Sequence, residues 1–281
     1  MHGNVLRTAI LIAAFSGLIL LAGAVAGGIG GLAIAMVAAL GAVGFAYFGS
    51  DRMALSAMRA RPVSEWEYPQ LYRLTRELST TARTPMPRIY VSPALQPNAF
   101  ATGRNRRRAA ICCTEGILLV LDDGELRAVL AHELAHVQNR DILISSVVAG
   151  VAVVITFLAA FAWLLPFGRG GGRLLRLLLM AVLGPVAALV IQLAVTRARE
   201  YQADAGGARL AGDPLALARA LRKIELGADA HPLPSSGRLA AAGHLMIVGP
   251  FRSTGLGRLF STHPPVAERV RRLEMLAGVP R

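Results

Sequence analysis

Charged residues vanish from three long stretches of the chain. Residues 8–50 contain no Lys, Arg, Asp or Glu, and neither do residues 142–168 or 177–196. A helix needs about 20 apolar residues to cross the hydrocarbon core of a bilayer. The first stretch is long enough for two crossings, divided at the glycine-rich run 27–31, and each of the others supplies one. The pattern predicts four transmembrane helices, near 8–26, 30–49, 143–165 and 177–196. A cleaved signal peptide is the alternative for the first. A second apolar span follows it at once, with no polar region and small-residue cleavage site between them, which argues against that reading. A buried soluble helix is the alternative for the last two, and their length without a charge argues against it.

The polar segments between the spans carry mixed periodicities. Ser64-Glu65-Trp66-Glu67 reads as a capping box, and a helix follows to about Thr81. Pro85 and Pro87 close it. Residues 88–92, 98–102 and 108–113 read as short strands, the last two joined by a turn at Gly103 to Arg106. Thr114 caps a short helix over 115–121. Asp122, Asp123 and Gly124 open another, with acid at its positive end. Beyond the fourth span a polar helix begins at Arg197, and further helices are expected near 214–226 and 265–277. Residues 227–257 are rich in Gly, Pro and Ser, so partial mobility is expected there, and this stretch is expected to cover the cleft. The chain shows no internal repeat. It divides into two spans (1–50), a first catalytic part (51–141), two spans (142–196) and a second catalytic part (197–281).

Composition agrees with a membrane protein. Of 281 residues 54% are hydrophobic, and the mean hydropathy is +0.50. An ordinary soluble domain is less apolar. The net charge is +13 and the pI about 11.2. Lys223 is the single lysine, so arginine carries the charge. Arg104, Arg106, Arg107 and Arg108 form the densest cluster. They lack interleaved aromatics, so the partner read from them is an anionic lipid surface and not nucleic acid. An even number of crossings between the polar segments puts both on one side of the bilayer. Arg52, Arg59 and Arg61 place that side in the cytoplasm, although Arg169, Arg173 and Arg176 between spans three and four run against the rule. Cys112 and Cys113 are adjacent, which disfavours a disulfide; in a strand one faces in and the other out.

The chemistry gathers at His132-Glu133-Leu134-Ala135-His136. On a helix, positions i and i+4 share a face, so two imidazoles can grip one zinc ion while Glu133 handles a proton. The string alone is only moderately specific. A catalytic zinc needs a third protein ligand and an open position. The metzincin pattern is excluded, because Ile142 and Asn139 stand where its third His and its Gly belong. Glu200, on the helix following the fourth span, is the candidate. Asp204, one turn on, is placed to orient a histidine. The bland reading of both is a solvated helix face. Glu133 is the expected general base, and His263 and Arg269 are expected near the oxyanion, or alternatively as the entry to a helix behind Pro264 and Pro265.

Six blocks together resemble the HtpX family of membrane zinc metalloproteases, relatives of the CaaX prenyl protease. They are residues 59–64 (RARPVS), 98–103 (NAFATG), 132–141 (HELAHVQNRD), 199–204 (REYQAD), 244–247 (HLMI) and 259–265 (LFSTHPP), in the family's order. The resemblance implies a mainly α membrane protein with a gluzincin-like α+β catalytic domain assembled from the two polar segments. It implies one Zn2+ held by His132, His136 and Glu200, and Glu133 as catalytic acid and base. It implies that Asn98, Ala99, Phe100, Ala101 and Thr102 form an edge strand that pairs with extended substrate, with His263 and Arg269 by the oxyanion. The implied role is quality control of damaged membrane proteins under stress, at the cytoplasmic face of a bacterial inner membrane. Thr196 and the Cys112–Cys113 pair depart from the pattern without touching the chemistry. His244 has no role that the sequence defines.

Three other readings compete. A CaaX-type processing protease predicts more spans and a large chamber. A non-catalytic scaffold predicts loss of a ligand or of Glu133. A small transporter predicts polar groups inside the spans, where Gln192, Ser16 and Thr156 are nearly all there is. The chain has no ATPase motif. Its expected partners are therefore the bilayer, unfolded or membrane-protein substrates, and an ATP-dependent membrane protease that supplies unfolding.

Overall fold

The structure is a computed structural model that describes residues 2–142, 197–233, 245–248 and 264–279. The expected spans 143–165 and 177–196, together with His244 and His263, lie outside the described residues.

The chain opens with α1 (His2–Ala57) as one helical element. The sequence predicts two helices split at 27–31. The split is reduced to one residue, Gly28, which has φ 58°. Only glycine takes that left-handed value without a Cβ penalty. Among the described residues no helix is long and apolar enough to cross a membrane.

A four-stranded sheet follows, built from β1 (Arg61–Pro62), β2 (Arg88–Ser92), β3 (Ala99–Thr102) and β4 (Ala110–Thr114). Its order is β1-β2-β4-β3. β2 runs parallel to β4 with Ile89 opposite Ile111. β3 is antiparallel to β4 with Phe100 opposite Cys112. β3 is therefore an edge, and β4 is covered on both sides and both faces. Every residue of β3 and β4 is buried. On one face Ile89, Val91, Ala99, Ala101, Ile111 and Cys113 meet the main core. On the other Phe100, Ala110 and Cys112 pack with Ala54, Leu55 and Met58 from the end of α1. Both cysteines are free. They alternate across the sheet, as the sequence predicts.

The Ser64–Glu67 box forms, with Ser64 N–H and Oγ both donating to Glu67 Oε2 at 2.9 and 3.0 Å. It closes a turn and not the helix start. α2 (Pro69–Thr81) begins two residues later, with Pro at its first turn, where a missing N–H costs nothing. After α3 (Glu115–Val120) comes the central helix α4 (Asp123–Asn139). Its start is a true capping box: Asp122 accepts from Glu125 N–H, and Glu125 accepts from Asp122 N–H. Glu125 also takes Lys223 at 2.7 Å, which ties the helix entry to a later part of the chain. α4 ends where Arg140 turns left-handed at φ 61°.

Three more helices complete the described fold: α5 (Arg197–Ala211), α6 (Pro214–Ala230) and α7 (Val266–Leu276). α4 is buried along both the sheet side and the helix side, by β3, α2, α5 and α6. A helix packed on all sides carries small and apolar residues all round, which is why its amphipathic stripe is faint. The site sits on this buried helix, where it meets β3 and α5.

Candidate metal centre

α4 places His132 and His136 one turn apart, with ring centroids 4.7 Å apart and planes at 88°. Their Nε2 atoms face each other at 3.2 Å. α5 brings Glu200 Oε1 to 3.5 Å from His136 Nε2. One ligand atom from each of the three side chains lies within 4.8 Å of the others.

Close approach of α5 to α4 makes this possible, and it depends on glycine. A Cβ on Gly207 would stand 2.7 Å from both N and Cα of His132, whereas one on Gly206 would meet the Ala135 Cβ at 3.4 Å. No side chain fits at 207 without moving a backbone. A residue that carries a metal ligand on α4 is thus one against which α5 packs closely.

Carboxylates hold the far side of each imidazole. Asp204 Oδ1 is 3.0 Å from His132 Nδ1, within ion-pair reach though off the hydrogen-bond line. Asp141 Oδ2 is 3.2 Å from His136 Nδ1. Asp204 is gripped in turn by Arg269, whose Nε and Nη2 donate to it at 2.8 and 2.6 Å. Arg269 has no exposed surface. Its Nη1 donates to the Ile247 carbonyl at 2.7 Å and lies 3.8 Å from Glu200 Oε2. Burial alone would raise the Asp204 carboxyl; the Arg269 guanidinium beside it, by charge and by hydrogen bonding, holds it down to about 2. Burial alone would lower the Arg269 guanidinium, and Asp204 and Glu200 push it up instead.

The sequence places Arg269 near the oxyanion. The structure engages its guanidinium with the protein: the fork is closed on Asp204 and Nη1 is on a main-chain carbonyl. These contacts make it a prop for Asp204 and give no support to a free donor. Asp141 has a role that the sequence reading does not assign. It was legible only as a boundary charge after α4, because the left-handed Arg140 that turns it back toward His136 leaves no signal in residue type.

Glu133 is 2% exposed. Burial pushes its carboxyl up from the usual range and Glu200 adds to this, while His132 and His136 pull the other way. It accepts the backbone N–H of Ala101 on the edge strand. The strand expected to receive substrate therefore touches the expected base directly.

The donor set fits a divalent metal. With both Nδ1 atoms turned to carboxylates, the two Nε2 atoms converge on one point with Glu200 beside them. Two facing nitrogen lone pairs at 3.2 Å repel unless a proton or a cation lies between them. Burial lowers the His136 imidazole, but Asp141, Glu200 and Glu133 outweigh it and raise it to about 9, so the pocket attracts positive charge. Two imidazoles and a carboxylate suit zinc.

A helix with H-E-x-x-H, crossed by a helix bearing a carboxylate and flanked by an edge strand, defines a metallopeptidase. Known proteins agree. The pattern of Peptidase family M48 matches residues 65–277. The chain is 54% identical over 288 residues to a Protease HtpX homolog of Kineococcus radiotolerans, covering 99% of this chain and 98% of that protein. A Protease HtpX homolog of Paenarthrobacter aurescens is 53% identical over 286 residues, with 99% and 98% covered. The crystal structure of S. mikatae Ste24p is similar in fold, with a TM-score of 0.51 at 20% identity; the match covers 96% of this chain and 65% of that one. This chain thus spans about two thirds of that protein. The chain belongs to peptidase family M48, in its HtpX branch. It is a metalloprotease, a hydrolase of peptide bonds.

Proposed function

We propose that the chain is an integral-membrane, zinc-dependent endopeptidase that cuts misfolded or damaged membrane proteins under stress. The observation that carries the catalytic part is the convergence of His132, His136 and Glu200 beside Glu133, with Glu133 bonded to the edge strand at Ala101. The uncharged stretches 8–50, 142–168 and 177–196 support four crossings. The arginines following the second span support a catalytic domain facing the cytoplasm of a bacterial inner membrane.

Zinc, when bound by His132, His136 and Glu200, polarises the scissile carbonyl and lowers the pKa of water. The chain's own residues do the rest. Asp204 and Asp141 fix the imidazoles so that both Nε2 atoms point inward. Arg269 holds Asp204. Glu133 takes a proton from the attacking water and passes it to the departing amine. The edge of β3, at Asn98 to Thr102, aligns an extended substrate by main-chain pairing. Glu133 lies at that edge, so alignment delivers a peptide bond to the base. His263 is the remaining candidate for an oxyanion donor. Because no ATPase is part of the chain, an ATP-dependent membrane protease is the proposed partner for folded substrates.

The test is cleavage of an unfolded protein by the detergent-purified chain, with wild type set against Glu133→Gln. The expected result is cutting by the wild type alone, with bound zinc equal in both. Equal cutting by the two would refute the base role.

A further inference from the structure

Residues 245–248 lie on the outer side of β3 and are held there through main-chain atoms. Ile247 N–H donates to the Ala99 carbonyl at 3.0 Å. Asn98 Nδ2 donates to the Val248 carbonyl at 2.9 Å. Arg269 Nη1 donates to the Ile247 carbonyl at 2.7 Å. All three bonds read backbone. None depends on which side chain the segment carries.

The side chains themselves are apolar and buried. Leu245 and Met246 join Phe100, Cys112, Ala54, Leu55 and Met58 on one side of the sheet. Ile247 and Val248 join the main core on the other. Ala99 and Ala101 turn their outward groups to the same edge: the Ala99 carbonyl to Ile247, and the Ala101 N–H to Glu133. One residue of the strand, Phe100, lies between the segment's anchor at Ala99 and the contact of Ala101 with the catalytic carboxylate. Arg269 bridges the rest of the gap, with one nitrogen on Ile247 and 3.8 Å from Glu200.

We infer that residues 245–248 occupy the strand site that an extended substrate takes, and that this site accepts apolar peptides through their main chain. The inference rests on the metalloprotease reading above. An arriving peptide must displace the segment, and it inherits Ala99, Asn98 and Arg269 as partners. The preferred substrate is then an apolar stretch that has lost its own structure, with few charges at the positions that Leu245 to Val248 fill. Such a stretch exists in a membrane protein that has failed to pack. The segment also competes with substrate: if it holds the site nine-tenths of the time, apparent affinity falls about tenfold.

The test uses the full zinc-loaded chain in detergent, in a Glu133→Gln background so that nothing is cut. The probe is a fluorescent peptide with a Leu-Met-Ile-Val core between lysines, read by anisotropy. A control peptide carries Asp at two of the four core positions. Ile247→Pro removes the N–H that Ala99 accepts, and Met246→Glu unseats an apolar contact. The expected result is probe binding up to ~10-fold tighter in either variant than in the parent, with the control peptide bound by none. Hydrogen exchange on the parent checks the same claim without a variant. Saturating probe should speed exchange at the Ile247 amide as the segment leaves Ala99. A variant that keeps the parent's melting temperature but binds the probe no better overturns the inference. So does a probe that binds while Ile247 stays protected, or one that never binds. Failure of the protease reading looks different: the zinc-loaded wild type cuts no unfolded protein, while probe binding behaves as expected.

Discussion

Gly207→Ala should weaken the metal site without replacing a ligand. The added Cβ would stand 2.7 Å from N and Cα of His132, and both are backbone atoms of a buried helix. An ordinary contact needs about 3.5–4 Å, so α5 must retreat from α4 by about 1 Å. Overpacking of this kind costs about 1–3 kcal/mol. Glu200 lies two turns before Gly207 on α5 and would move with it. A displacement of about 1 Å in a reacting constellation can cost a factor of about 100. The expected effect is a 10- to 100-fold loss of zinc affinity, comparable to losing a supporting carboxylate, with melting lowered by about 2–4 °C for each kcal/mol. Gly206→Ala is the internal control. Its Cβ would meet only the Ala135 methyl at 3.4 Å, and it should be nearly neutral. Zinc competition against a chromogenic chelator measures the affinities, and a melting curve measures the stability. Equal zinc affinity in Gly207→Ala, Gly206→Ala and wild type would refute the claim that helix approach at His132 sets the site.

Other outcomes follow from the same contacts. Asp141→Asn should weaken zinc binding by about 10-fold or more while the fold persists, because His136 loses its anionic partner; chelator competition and circular dichroism separate the two effects. Arg269→Met should destabilise the chain by about 3–5 kcal/mol, since it leaves Asp204 buried without its guanidinium; denaturant titration reads the loss, and a double variant with Asp204→Asn should recover part of it. Cys112 and Cys113 should resist maleimide in the native chain and label only on unfolding. Burial raises both thiols, Cys113 to about 12 with Glu133 adding to the effect. Rapid labelling of the folded protein by mass spectrometry would contradict their placement.

The H-E-x-x-H pair was legible because its geometry is local: four residues along a helix fix two imidazoles on one face. Glu200 is legible from its place just after an uncharged stretch, and the structure brings it to His136 across the α4–α5 contact. The strand ranges were close because Pro85, Pro87 and the Gly103 turn punctuate them. The Ser64 box misled by four residues about the start of α2, since its bonds close a turn ahead of Pro69. The glycine run 27–31 promised a break that reduced to Gly28 alone. What could not be read was non-local. Arg269 pairs with Asp204 from a helix 65 positions away, and residue type at Arg269 does not say whether a guanidinium faces substrate or a buried carboxylate. Nor does any local pattern tell that Ile247 bonds to Ala99.

The most direct test is metal stoichiometry by mass spectrometry on the purified full chain, for wild type, Glu200→Gln and Glu133→Gln prepared side by side. Wild type and Glu133→Gln should each carry one zinc per chain, and Glu200→Gln should lose most of it, because His132, His136 and Glu200 hold the ion and Glu133 does not. Full zinc in Glu200→Gln, with stability unchanged, would contradict the claim that two distant segments of the chain build one metal centre.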